Sequence, residues 1–178
     1  MNYRSLVRCY PDFPKEGVLF WDFSYLLKDV HARNTAIQEI KEFLRDKKID
    51  AIAAIESKGF TLGAILAHEL QVPMVLIRKP NLVPGEVYSQ EFVKEYGTGE
   101  YVIKADAVLP KERIVVVYDI MAGSGASKAA ISLIEKSGGV VAGLAYVTEL
   151  EYLGGREELA GYDILSLVRI RKKYDTVD

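Results

Sequence analysis

Two apolar rhythms alternate along most of this chain. Behind Asp29, a residue suited to cap a helix, Ala36, Ile37, Ile40, Phe43 and Leu44 recur on one helical face. A solid apolar run, Ala51 to Ile55, then predicts a strand buried on both sides, and the polar turn Glu56-Ser57-Lys58 leads into a predicted helix from about Gly59 to Leu70. Strand Met74 to Ile77 follows. From Arg78 to Arg113 the pattern turns charged and aromatic, with turns at Pro84-Gly85 and Gly97-Thr98-Gly99, and reads as a long excursion carrying a hairpin; a lid and a plain flap are both open. The alternation resumes with an apolar strand from Ile114 that ends on Asp119, a helix marked by Ala129, Ala130, Leu133 and Ile134, strand Val140 to Val147, a loop at Gly154-Gly155, and strand Ile164 to Val168. Strands alternating with helices predict an α/β fold: a mainly parallel sheet flanked by helices, organised as a single domain over residues 1–178. Residues 1–28, aromatic and punctuated by Pro11 and Pro14, read as an appendage.

The segment with the clearest chemistry is Tyr118 to Ser127. An apolar strand runs onto Asp119, the loop Ala122-Gly123-Ser124-Gly125-Ala126 has no bulky side chain, and a helix begins, so backbone N–H groups can close around an anion at the positive end of the helix dipole. Sugar hydroxyls would sit beside Asp119. A Walker A loop needs Gly-Lys-Ser/Thr at its end, which is missing, and a dinucleotide fingerprint needs a third glycine where Lys128 stands. A phosphoribosyltransferase loop and an ordinary strand-to-helix turn both fit the letters. Loops at residues 56–58, 78–85 and 119–126 all follow strand ends, where an open parallel sheet gathers a ligand crevice.

Composition narrows the class. A chain of 178 residues with a formal net charge of −2 and no basic run argues against nucleic-acid binding. Cys9 is the only cysteine, so no internal disulfide can form, and His31 and His68 offer no metal cluster. No apolar stretch has the length of a membrane span and the first residues lack a signal-peptide pattern, so no membrane association and a cytoplasmic location are expected.

Several motifs together resemble the type I phosphoribosyltransferases, in their adenine-specific branch, from about Tyr10 to Val168. They are Tyr10-Pro-Asp-Phe-Pro-Lys-Glu-Gly-Val-Leu-Phe20 with Asp22, Ile55-Glu-Ser-Lys-Gly-Phe60, Val75-Leu-Ile-Arg-Lys-Pro80, Glu95-Tyr-Gly97, Glu149-Leu150 and Leu153-Gly-Gly-Arg156. The resemblance implies a hood at residues 1–28, a flexible hairpin loop at 79–105, and transfer of phosphoribose from phosphoribosyl pyrophosphate to adenine, giving AMP. It also implies substrate-borne Mg²⁺ and a homodimer. Within it, Lys58 and Arg78 take the pyrophosphate. Asp119 holds the ribose, and Ala122, Gly123, Ser124, Gly125, Ala126 and Ser127 hold the 5′-phosphate. Phe20 and Leu150 sandwich the purine, the backbones of Leu19 and Trp21 read its edge, and Glu95 exchanges a proton with N7.

The departures from the family pattern cluster on one substrate. Tyr118 stands for one of two acidic residues, Gly123 to Ala126 lack two threonines, Lys58 and Trp21 each stand for an arginine, and Leu82 stands for a lysine. Lost hydrogen bonds to charged groups are worth about 1.5–3 kcal/mol each. Two expectations therefore stand: a working salvage transferase, for adenine or another purine base, and a catalytically weak or inactive relative that senses a purine or nucleotide.

Overall fold

The computed structural model describes residues 1–93 and 97–173. A short antiparallel pair, β1 (Arg8–Pro11) and β2 (Leu19–Asp22), opens the chain and is followed by α1 (Ser24–Lys28) and α2 (Val30–Leu44). Asp29 caps α2 as expected, its side chain accepting from the Ala32 N–H at 2.9 Å. Next come β3 (Ala51–Ile55), α3 (Gly59–Leu70), β4 (Met74–Ile77), and the hairpin strands β5 (Val87–Val93) and β6 (Thr98–Lys104). The chain continues through β7 (Arg113–Met121), α4 (Gly125–Lys136), β8 (Val140–Leu150) and β9 (Ile164–Ile170). The central sheet has five parallel strands in the order β4-β3-β7-β8-β9.

The two-residue period of each strand splits the core into two layers. Ile52, Val115, Val117, Ala145 and Val147 face one side, where α2, α3 and the N-terminal segment pack with Ile40, Leu66 and Trp21. Ala53, Ile55, Ile114, Val116, Leu144 and Tyr146 face the other, against α4 and the hairpin with Leu133, Ile134, Tyr101 and Ile103. Strands covered on both faces read as unbroken apolar runs, as the sequence shows.

Four differences from the sequence reading have physical causes. The N-terminal segment is no appendage: Tyr3, Val7, Trp21, Phe23 and Leu26 are buried in the α2–α3 core layer. Strand β7 continues two residues past Asp119, because Ile120 and Met121 still pair with Thr148 and Glu149 of β8. That same pairing and the ladder to β9 extend β8 to Leu150 and β9 to Ile170. Thr98 and Gly99, expected in a turn, pair with Val93 and Phe92 as the first residues of β6. The hairpin is stitched to the main sheet by reciprocal backbone bonds between Arg78 and Val102, at 2.9 and 2.8 Å.

Candidate active site

The strand order reverses between β3 and β7: β4 lies on one side of β3, and the later strands extend from the other. Loops leaving adjacent strands in opposite directions open a crevice at their carboxyl ends. Into it project the turn after β3, the end of β7 and the edge of the β1–β2 hairpin.

The turn Glu56-Ser57-Lys58 contains a cis peptide between Glu56 and Ser57 and leads straight into α3. Only a glycine can follow it, because a Cβ at Gly59 would stand 2.9 Å from the Val117 carbonyl oxygen. This close approach holds Lys58 over the end of β7. Its ammonium lies 3.3 Å from Asp119 Oδ2, donates to the Trp21 carbonyl oxygen at 3.4 Å, and sits 4.1 Å from the centre of the Phe20 ring. Residues far apart in sequence thus converge on one cation. Asp119 is 5 % exposed. Burial pushes its carboxyl above the ordinary range, and Lys58 together with the N–H groups of Asp119 and Ile120 pulls back against that rise.

Arg78 is held separately. Its Nε meets Glu56 Oε2 at 3.2 Å and its Nη1 donates to the Leu82 carbonyl at 2.9 Å. Burial works against the Glu56 charge, but the Lys79 N–H at 3.0 Å and Arg78 outweigh it and keep this carboxyl below its usual range. Glu56 is a site residue that the sequence reading passed over as turn polarity. Its signal was its place in the motif Ile55-Glu-Ser-Lys-Gly-Phe60, two residues before Lys58.

The phosphate loop ends in the first turn of α4, where the N–H groups of Gly125, Ala126 and Ser127 have no intrahelical partner. The two serine hydroxyls of the loop turn inward. Ser127 Oγ pairs with the Tyr146 hydroxyl at 2.7 Å, both side chains being buried, and Ser124 Oγ donates to Glu158 Oε2 at 2.8 Å. Lys128 shares that Glu158 oxygen at 2.6 Å and, with Ser124, holds the carboxyl below its usual range. The hairpin seats against this loop: a Cβ at Gly125 would collide with the Val93 carbonyl oxygen. A cavity of about 640 Å³ runs between β5, the phosphate loop and α4, reaching Leu153 and Glu158.

Tyr118 faces away from Asp119, packed against the α4 layer. Its hydroxyl lies 3.4 Å from that of Tyr101, whose ring stacks on Phe92 with centroids 4.6 Å apart. These three rings border a second cavity of about 180 Å³ with Ala122, Gly123, Gly125 and Ala126. Tyr101 carried no sequence signal.

Of the four residues expected at the base, Leu150 is buried in the same core layer as Trp21, while Leu19 and Phe20 are half-buried on β2. Phe13 meets Phe20 edge-on at 5.1 Å. Trp21 Nε1 is, among the described residues, the buried side-chain polar atom without a hydrogen-bond partner. The neighbouring Glu149 is buried and gripped by Arg156 through Nε at 2.8 Å and Nη2 at 2.5 Å, with Arg169 at 3.6 Å. Burial raises the cost of its charge, yet these guanidinium contacts hold its carboxyl below the usual range. Glu95 lies outside the described residues. Among those described, no three His, Cys, Asp or Glu side chains form a metal cage.

Comparison with known proteins adds to this geometry. The family profile for the phosphoribosyl transferase domain matches residues 27–158. The chain is 43% identical over 166 residues to the adenine phosphoribosyltransferase of Thermoanaerobacter sp. (strain X514), covering 93% of this chain and 96% of that one. The crystal structure of adenine phosphoribosyltransferase from Thermoanaerobacter pseudethanolicus superposes with a TM-score of 0.88 at 43% identity, covering 93% and 96% of the two chains. The Saccharomyces cerevisiae enzyme, solved with an imino-altritol bisphosphate and adenine, superposes with a TM-score of 0.84 at 32% identity, covering 92% and 95%.

Proposed function

This chain belongs to the phosphoribosyltransferase family, and on that premise we propose that it is a purine-salvage enzyme converting adenine and phosphoribosyl pyrophosphate to AMP and pyrophosphate. The observation that carries the reading to individual residues is the convergence of Lys58, Asp119, the Trp21 carbonyl and the Phe20 ring at the strand-order reversal. As the C1′–O bond to pyrophosphate breaks and adenine N9 closes on C1′, the ribose takes on oxocarbenium character and the leaving group gains charge. Lys58 and Arg78 answer that charge, with Mg²⁺ entering as part of the substrate. Asp119 accepts from the ribose hydroxyls, and the N–H groups of residues 122–127 hold the 5′-phosphate. Phe20 and Leu150 bracket the purine, and the backbones of Leu19 and Trp21 read its edge. Glu95 exchanges the proton at N7. The enzyme works as a cytoplasmic homodimer.

A second reading, a purine or nucleotide sensor with little turnover, is favoured by the phosphate loop itself. Both loop hydroxyls are spent inside the protein, and the Glu158 carboxylate stands beside the anion site. Chromatography of the nucleotides formed from adenine, hypoxanthine or guanine with phosphoribosyl pyrophosphate and Mg²⁺ separates the two. AMP from adenine alone is expected; adenine binding without product from any base would favour the sensor. In the same assay Glu95→Gln should lower kcat by about 10²-fold or more while leaving adenine affinity within about threefold. Full turnover in that variant would remove the proton-transfer role.

A further inference from the structure

Two donors at the start of α4 meet on one oxygen. Ser124 Oγ and Lys128 Nζ both donate to Glu158 Oε2, at 2.8 and 2.6 Å. Lys128 and Glu158 line the same cavity of about 640 Å³ that Gly123, Ser124 and Gly125 of the phosphate loop border. A point where a hydroxyl and an ammonium converge on an anionic oxygen is a place that an oxygen of a phosphate monoester also fits. We propose that Lys128 is a binding residue for the 5′-phosphate, joining Ser124 in place of the two threonine hydroxyls that this loop lacks, and that the Glu158 carboxylate holds their place until the phosphate arrives. The assignment rests on the transferase reading and adds to it a phosphate-binding side chain outside residues 122–127.

A lysine at this position works against the helix that carries it. Lys128 lies in the first turn of α4, four residues after the cap residue Ser124, where the helix dipole is positive and a cation is disfavoured. Helical side chains lean toward the N-terminus, so its stem brings the ammonium back to the acceptor that Ser124 uses. Two positive features at one place call for an anion, and Glu158 answers only in part. It is a single charge, and the side chains of Lys128 and Glu158 are both more than half exposed, which leaves their pairing weak. A phosphate monoester brings about two charges and three acceptor oxygens, so it displaces the carboxylate. The two serines of the loop differ in the same respect. Ser127 Oγ is paired with the Tyr146 hydroxyl, both side chains being buried, and stays there, whereas the partner of Ser124 sits on the exposed turn Glu157–Leu159 and can leave. The exchange is local. Gly155 packs against the phosphate loop so closely that a Cβ on it would stand 3.0 Å from the Gly123 carbonyl carbon, so the backbone leading to Glu158 stays seated while its side chain turns out.

Calorimetric titration of AMP and of adenine into the full chain tests this, adenine being the control that carries no 5′-phosphate. In Lys128→Met, AMP affinity should fall about tenfold, the worth of one charge-assisted contact, while adenine affinity stays within about twofold. Lys128→Arg should bind AMP within about threefold of the unmodified protein, since a guanidinium also pairs with phosphate. Glu158→Gln should tighten AMP about threefold and leave adenine unchanged, because a competing charge has gone. AMP affinity unchanged in Lys128→Met, an equal loss for AMP and adenine, or weaker AMP binding in Glu158→Gln would each overturn the assignment and leave the transferase reading intact. An unmodified protein that binds neither AMP nor adenine would instead overturn the transferase reading. If Lys128→Met fails to fold, the Glu158→Gln titration decides.

Discussion

At the scale of single residues, the end of β7 concentrates the consequences. Strand alternation sends Asp119 into the crevice and Tyr118 under the hairpin, so the tyrosine that stands for a family carboxylate has become part of a core layer with Tyr101 and Phe92. Position 118 points away from the crevice, so Tyr118→Asp should leave the KM for phosphoribosyl pyrophosphate within about threefold, where a carboxylate reaching the ribose would lower it about tenfold. The substitution should also cost about 2 kcal/mol of stability through lost packing, read by urea denaturation. A KM lowered about tenfold would show that position 118 reaches the ribose after all. Asp119 gives a pH prediction as well. Its carboxyl is raised by burial, so kcat/KM for phosphoribosyl pyrophosphate should fall on acidification at a pH above the ordinary aspartate range of about 3.9. Lys58 pulls that pKa down, so in Lys58→Met the acid limb of the pH–rate profile should shift to higher pH. A limb that stays put or moves lower would show that Asp119 does not set it.

At the scale of elements, the end of β8 is fastened to the loop that follows it and to β9 by the Glu149–Arg156 pair. Arg156 also reaches the Ile164 carbonyl at 3.2 Å and Ser166 Oγ at 3.2 Å, so one guanidinium ties three segments. Removing it leaves a carboxylate of 2% side-chain exposure with Arg169 and the Ser166 hydroxyl beside it. Arg156→Ala should therefore destabilise the protein by about 3 kcal/mol near neutral pH. The sign with pH follows from the lowered Glu149 pKa. The stabilisation is complete above the ordinary glutamate value of about 4.3 and is lost as pH falls through the depressed native value. The gap between Arg156→Ala and the unmodified protein should accordingly narrow on strong acidification in denaturation curves. A constant gap would place the effect in packing instead.

At the scale of the whole molecule, the strand-order reversal makes two neighbouring strand ends, β3 and β7, into one site, and the hood closes it from a segment distant in sequence. The proposed dimer belongs to this scale. Leu76 on the edge strand β4 and Leu82 beyond it are 42% and 49% exposed, and they border a cavity of about 290 Å³ with Met74, Val83 and Pro84. Sedimentation equilibrium should give about twice the 19.9 kDa chain mass. A single-chain mass at micromolar concentration would remove the dimer from the reading.

Local patterning by itself determined the order of elements, because a strand covered on both faces and a helix with one apolar face leave different periods in the sequence. It also placed a small-residue loop just before α4, whose letters fit an anion site and an ordinary strand-to-helix turn alike. The Asp29 cap was legible for the same reason: its hydrogen bond spans three residues. What depends on through-space approach was decided by the tertiary structure alone. Lys58 meets residues 37 and 61 positions away, Arg78 meets Glu56, Tyr118 meets Tyr101, and the first residues of the chain enter the main core. Letters could propose Lys58 as a diphosphate ligand, but that it lies against Asp119, the Trp21 carbonyl and the Phe20 ring follows from a strand order that local pattern does not encode.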